Sequence, residues 1–161
     1  MMKLLRSSLL CAIALCIMST TALAARPSIT SDSNYLDMNT GRYILEGHVR
    51  IATDARVITA DKAQVSIASL EVWGQGHITV TQDDITFTGD NVYANGNKKE
   101  AVINGSVDLE RTGLSIQADT VTYNWETKLA EFEDNVQVRH NEEEYTASRL
   151  TYNVVENTIL Q

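Results

Sequence analysis

Histidine and aspartate are the side chains in this chain whose chemistry could go beyond packing. His48 and His77 stand 29 residues apart, and Asp32, Asp61, Asp90 and Asp119 recur at the same spacing. An imidazole beside a carboxylate is the usual material of a general base or a metal site. The Asp, however, returns with the backbone pattern itself and has no acid or base next to it in sequence, which reads as a polar residue capping a bent strand. His48 and His77 fall in one outward column without a carboxylate triad at ligand spacing, and His140 falls in a turn. The run Glu142-Glu143-Glu144 reads as a solvated turn. No catalytic residue, no metal and no cofactor is expected, and the chain is read as a non-enzyme.

The elements that position these residues follow from a strict repeat. Glu46-Gly47-His48-Val49 returns as Gln75-Gly76-His77-Ile78, as Asn104-Gly105-Ser106-Val107, and in weakened form as Glu133-Asp134-Asn135-Val136. In parallel run Ser31-Asp32, Ala60-Asp61, Gly89-Asp90, Ala118-Asp119 and Ala147-Ser148; every step is 29. Around the glycine column, apolar residues alternate with polar ones for about nine residues, the mark of a strand with one buried face. Around the Ala-Asp pair the apolar parity flips: Ile58 and Ala60 share a face, and the next apolar residues are Ala63 and Val65. A strand changes parity only at a bulge or corner. Turn residues fill the gaps, as in Asn39-Thr40-Gly41, Asn95-Gly96-Asn97, Gln82-Asp83-Asp84 and Arg111-Thr112-Gly113. The pattern predicts nine strands or so and no helix of 10 or more residues. Trp73 and Trp125 fall on the polar parity or in a turn and read as surface or rim residues.

Residues 1–24 read as a cleaved secretory signal peptide. Lys3 and Arg6 precede an apolar run from Leu9 to Met18, and Ala22-Leu23-Ala24 offers small residues at the cleavage site. The competing reading is a retained membrane anchor, but Ser7, Ser8, Ser19, Thr20 and Thr21 dilute both ends of the segment. Residues 25–161 then form a single domain. Cys11 and Cys16 both lie in the leader, so the remainder has no thiol chemistry. Without Lys3 and Arg6 the chain keeps 11 Lys and Arg against 21 Asp and Glu, a net charge of −10. That balance disfavours nucleic acid and unaided docking on an anionic membrane.

Units that each expose one apolar face stack into a continuous core. The expected architecture is all-β: an elongated, slightly twisted jelly-roll of tandem 29-residue two-strand repeats, its two sheets turning their apolar faces inward. Small residues on the inner wall (Gly47, Gly76, Gly105 and Ala60, Gly89, Ala118, Ala147) either leave a lengthwise groove or mark close strand approach. Arg56 and Glu143 stand where sister units carry Ile85 and Leu114, and Asp134 stands in the glycine column. These departures point to end units that are open or lined at the rim. By the period the next glycine position is 163, so the strand at Thr158–Gln161 is expected to present an unpaired edge.

The leader, the tandem Gly-x-Val-x-Val units, and the segments Val57-Ile58-Thr59-Ala60-Asp61-Lys62-Ala63 and Leu114–Tyr123 resemble the LptA/OstA family over about residues 29–161. The resemblance implies a periplasmic jelly-roll that carries lipopolysaccharide from the inner toward the outer membrane. Its partners would be an inner-membrane LptC-like anchor and the N-terminal domain of an LptD-like barrel, with possible head-to-tail self-association. If the leader is retained, the LptC-type anchored partner is the alternative; a lipid-free structural β-solenoid is another. Lipid A acyl chains would ride in the interior, on the aliphatic columns Leu45, Val49, Ile51, Ile58, Ile78, Val80, Phe87, Val92, Ile103, Val107, Leu109, Ile116, Val121, Phe132, Val136 and Val138. Each buried methylene is worth roughly 0.8 kcal/mol, so apolar tails can be held by a protein of this charge.

Overall fold

A computed structural model describes residues 28–53 and 56–160. The proposed signal peptide lies outside the described residues. Eleven strands follow in order: β1 (Ser28–Thr30), β2 (Ser33–Asp37), β3 (Arg42–Ala52), β4 (Val57–Ser66), β5 (Glu71–Gln82), β6 (Ile85–Asn95), β7 (Glu100–Arg111), β8 (Leu114–Asn124), β9 (Leu129–His140), β10 (Glu143–Asn153) and β11 (Thr158–Leu160). All belong to one antiparallel sheet in which β3 to β11 meander in sequence order, while β1 and β2 both pair with β3.

The repeat shapes every long strand. Between the pairs Glu46↔Lys62 and Val49↔Ala60, β3 places Gly47 and His48 against the single Asp61 of β4. The same two-against-one step recurs between β5 and β6, β7 and β8, and β9 and β10. It explains the parity flip: inner residues are four apart on the odd strands (Leu45, Val49) and three apart on the even ones (Ala60, Ala63). Both residues of each bulge are left-handed: Gly47 and His48 at φ 73° and 44°, Gly76 and His77 at 78° and 46°, Gly105 and Ser106 at 80° and 46°. Asp134 and Asn135 take the fourth place at 62° and 51°, and Asn and Asp are the non-glycine residues that tolerate this region best.

The aligned bulges crease the sheet along a line across the strands, so each strand contributes to two arms. One arm holds segments such as 71–75, the other segments such as 78–82. The arms close on a single apolar cluster that runs from Leu45 to Val154. Phe87 of one arm meets Tyr123 of the other with ring centroids 5.4 Å apart. The jelly-roll is therefore one folded sheet, where the repeat had pointed to two; each strand crosses the crease instead of belonging to one side.

The crease also corrects the place of the glycines. Gly47, Gly76 and Gly105 do not line the interior. A Cβ at any of them would overlap the carboxylate of Asp32, Asp61 or Asp90, on the polar side of the crease. Gly89 does face inward, and there the strands approach closely, since a Cβ would overlap Ile103 Cγ2. Close approach, not a groove, is what the small residues make.

Turns at the end of the first arm share a second 29-residue device. Asp37, Asn95, Asn124 and Asn153 each accept a backbone N–H two residues on, and Ser66 Oγ accepts from Ser69 N. Such side-chain-to-backbone bonds mimic a turn and fix its start. Successive turns are then tied by Gly96 N–H to Leu70 O (2.7 Å), Trp125 N–H to Lys99 O (2.9 Å) and Val154 N–H to Lys128 O (2.9 Å).

Gly76→Ala tests the crease. The left-handed backbone costs a side chain about 1–2 kcal/mol, and the new methyl must also displace Asp61. Gly41→Ala shares a positive φ of 66° but meets nothing within 4 Å. Urea denaturation should show Gly76→Ala as clearly the more destabilised of the two.

Candidate functional site: the apolar interior and its seam

Every aliphatic and aromatic residue proposed above for the interior is buried except Ile58, which is partly buried and packs against the same cluster. Leu109, Ile116, Val121, Phe132 and Val136 are 0 % exposed, so the interior is closed in this structure. The columns also include Val65, Ile85, Leu114, Leu150 and the rings of Tyr123 and Tyr152. At the two ends, inward-facing positions reach solvent: Ile29, Leu36 and Tyr43 beside β3, and Tyr145 on β10.

Opposite the crease, among the described residues, the free margins of the two arms are fastened by side chains and one carbonyl. Arg56 Nε–H donates to Gln82 Oε1 (3.0 Å), and its guanidinium lies 4.2 Å from the Trp125 ring centroid. Tyr123 OH donates to the same Gln82 oxygen from the other arm (3.4 Å). Farther along, Arg111 Nη1–H donates to Tyr152 OH (2.9 Å) and Val154 O (2.6 Å), and Nε–H donates to Asp84 (2.8 Å). Tyr152 OH in turn donates to Asn157 Oδ1 (2.6 Å). Burial pushes the Tyr123 phenol up and the Arg56 guanidinium down from their usual values, while the Tyr152 hydrogen bond holds Arg111 up. The seam is a polar fastening over an oily interior.

Arg56 thus lines the rim of the first unit and closes it, one of the two outcomes that the departure from the repeat allows. A charged residue replaces the aliphatic because it reaches across to Gln82 and Trp125 and keeps its head at the margin. At the other end Glu143 lies exposed on β10. There β11 pairs only with Thr151–Asn153, which leaves 143–147 of β10 with a neighbour on one side among the described residues. The unpaired edge expected at Thr158–Gln161 therefore extends to the last long strand.

The histidines acquire partners that sequence adjacency did not show. His48 Nδ1 lies 2.7 Å from Asp32 Oδ2, and His77 Nδ1 lies 2.7 Å from Asp61 Oδ2. Residues 16 apart meet because one repeat offset places each Asp beside the bulge of the following strand. The fourth pair keeps the geometry with an amide: Asn135 Nδ2–H donates to Asp119 Oδ2 (2.7 Å). The imidazole side chains are 92 % and 91 % exposed, so the pairs sit in open solvent on the crease. Among the described residues no group of three or more His, Cys, Asp or Glu is placed to hold a metal.

A folded antiparallel sheet with a lengthwise apolar interior, creased on one margin and polar-fastened on the other, is the architecture of a β-jelly-roll of the lipopolysaccharide-transport type. The family model described as "LptA/(LptD N-terminal domain) LPS transport protein" matches residues 28–71 and 58–158, and the chain belongs to that family. Among solved structures it is similar to LptH of Pseudomonas aeruginosa, described as the LptA homologous periplasmic component of the conserved lipopolysaccharide transport device. The TM-score is 0.56 at 14% identity, covering 62% of this chain and 76% of that one. None of the curated proteins matches this chain in sequence.

The crease pairs give a pH prediction. Hydrogen bonding to the carboxylate, then its charge, raises the His48 and His77 pKa values above the usual 6.5. A raised folded-state value means that the stabilisation is complete below about 6.5, the unfolded value, and is lost as pH rises through the folded value. His48→Asn/His77→Asn, which copies the Asn135 arrangement, should remove that dependence. Urea midpoints compared at pH 5.5 and 9 should show wild type losing more stability than the double variant.

Proposed function

We propose that this chain is a non-enzymatic periplasmic carrier of lipopolysaccharide, holding lipid A acyl chains against the interior columns while the phosphorylated saccharide stays in solvent. The observation that carries this reading is the asymmetry of the two long margins. One is continuous backbone; the other is held by Arg56, Gln82, Tyr123, Arg111 and Tyr152 through side chains. Parting the arms at the seam breaks those contacts and leaves the strand ladder intact. The interior can therefore be exposed to an acyl chain without unfolding the sheet. Each methylene that replaces a protein contact recovers roughly 0.8 kcal/mol of burial.

The sheet ends supply the partner surfaces. The unpaired half of β10 offers free backbone groups for strand addition, beside the exposed Tyr145. The β1/β2 margin presents Ile29, Leu36 and Tyr43. An inner-membrane LptC-like anchor at one end and an LptD-like N-terminal domain at the other would extend the interior across the periplasm. Further copies of this chain could lengthen the same path.

A photo-crosslinking residue at Ile116 should capture lipopolysaccharide in cells, and the same residue at the outward Gln137 should not. Adducts at neither position, from folded protein, would favour the lipid-free scaffold. Arg111→Ala should raise the adduct yield at Ile116, because it removes the fastening to Tyr152 and Val154.

A further inference from the structure

The outer face of the first arm carries a groove of about 400 Å³ that crosses β3 to β7, on the opposite side of the sheet from the apolar interior. Its floor is strand backbone at Leu45, Ala63, Gly74 and Val92. One wall runs Ile44, Gln64, Trp73 and Tyr93 across the strands, its two aromatic rings with centroids 5.6 Å apart. The facing wall, one outward position along each strand, is polar: Glu46, Lys62, Gln75, Asn91 and Asn104.

The repeat provides an internal control for these aromatics. At the place of Trp73 the sister units carry Ile44, Val102 and Glu131; at the place of Tyr93 they carry Gln64, Thr122 and Thr151. The sheet is built equally well with all of them, so the two rings answer to something other than the fold. They are also held in place. Arg42 lies 3.9 Å from the Trp73 ring centroid and donates to Oε1 of Gln64 (3.2 Å), the residue opposite Trp73 in the strand register. Tyr93 OH donates to Glu71, and Asn95 Nδ2–H donates to Tyr93 OH (3.0 Å). Trp73 and Tyr93 both line the groove.

We infer that this groove binds a saccharide chain, with pyranose rings stacked on Trp73 and their hydroxyls bonded by Gln75, Asn91 and Asn104. A pyranose presents an apolar C–H face and a rim of hydroxyls, which matches an aromatic wall opposed to amides that can both donate and accept. The volume lies in the range of small-ligand sites. On the polar wall Lys62 lies 3.5 Å from Glu46, and beside Trp73 the Arg42 guanidinium donates to the neutral Gln64 (3.2 Å), so the groove offers its amides and aromatic face to a sugar without a cluster of cations. Acyl chains have no place there, and the site stands independently of lipid carriage.

Tryptophan fluorescence tests this in a Trp125→Phe background, where Trp73 is the only indole outside the leader. Two probes are titrated: maltohexaose, and the lipid-free oligosaccharide released from lipopolysaccharide by mild acid. A saturable change with either supports the groove, and the tighter probe tells whether the glycan is the lipopolysaccharide's own or another. Trp73→Val and Tyr93→Thr install residues of sister units and should leave folding intact. By amide NMR each should weaken binding roughly tenfold or more. No saturable response to either probe, unchanged affinity in both variants, or binding of an unstructured peptide instead would overturn the assignment. The Ile116 crosslink reads the interior separately, so either proposal can fail alone.

Discussion

The structure depends on a pair of left-handed residues set opposite a single residue, repeated on alternate strands. L-amino acids resist that conformation, so the chain spends glycine, Asn, Asp and an unbranched polar residue on it. Each pair turns the strand through the crease and at the same time brings the bulge against the Asp carboxylate of the preceding strand. Because the spacing is 29 without insertion, the bulges align and the whole sheet folds along one line. If they were staggered, the strands would bend in different places and no shared interior would form.

From that crease follow the two kinds of margin. The bend is covalent on one side. On the other side the arms meet through long side chains with polar tips, which cover the oily core without a backbone ladder. Leu109, Ile116 and Phe132 pack tightly in an interior that belongs to both arms. The outer face keeps its own chemistry, since alternate residues point away from the core on every strand.

Much of the fold was legible in the residues. The period, the alternation around Val49 or Val107, and the odd step from Ala60 to Ala63 together specify long strands, a bulge and a buried column. Two readings failed and a third stayed open, each for a reason that lies outside linear order. The glycines were placed on the inner wall because they keep parity with Leu45 and Val49. Parity counts residues, and two left-handed residues turn the chain without changing the count. Asp32 and Asp61 looked unpartnered because His48 and His77 are 16 residues away, a distance closed only by strand register. Arg56 breaks the apolar column, and whether it marks an open end or a lined rim is decided by Gln82 and Trp125, which lie on other repeats and on both arms.

The sequence by itself determined the strands, the place of each bend and the identity of the core columns, because those follow from local backbone preference and the alternation of side chains. The tertiary structure decided that one sheet folds on itself instead of two facing each other. It also decided which residues fasten the open margin and which surface aromatics share a groove. These are contacts between residues up to 43 positions apart, as between Arg111 and Val154. They are fixed by where the crease brings the arms together, which no single repeat encodes.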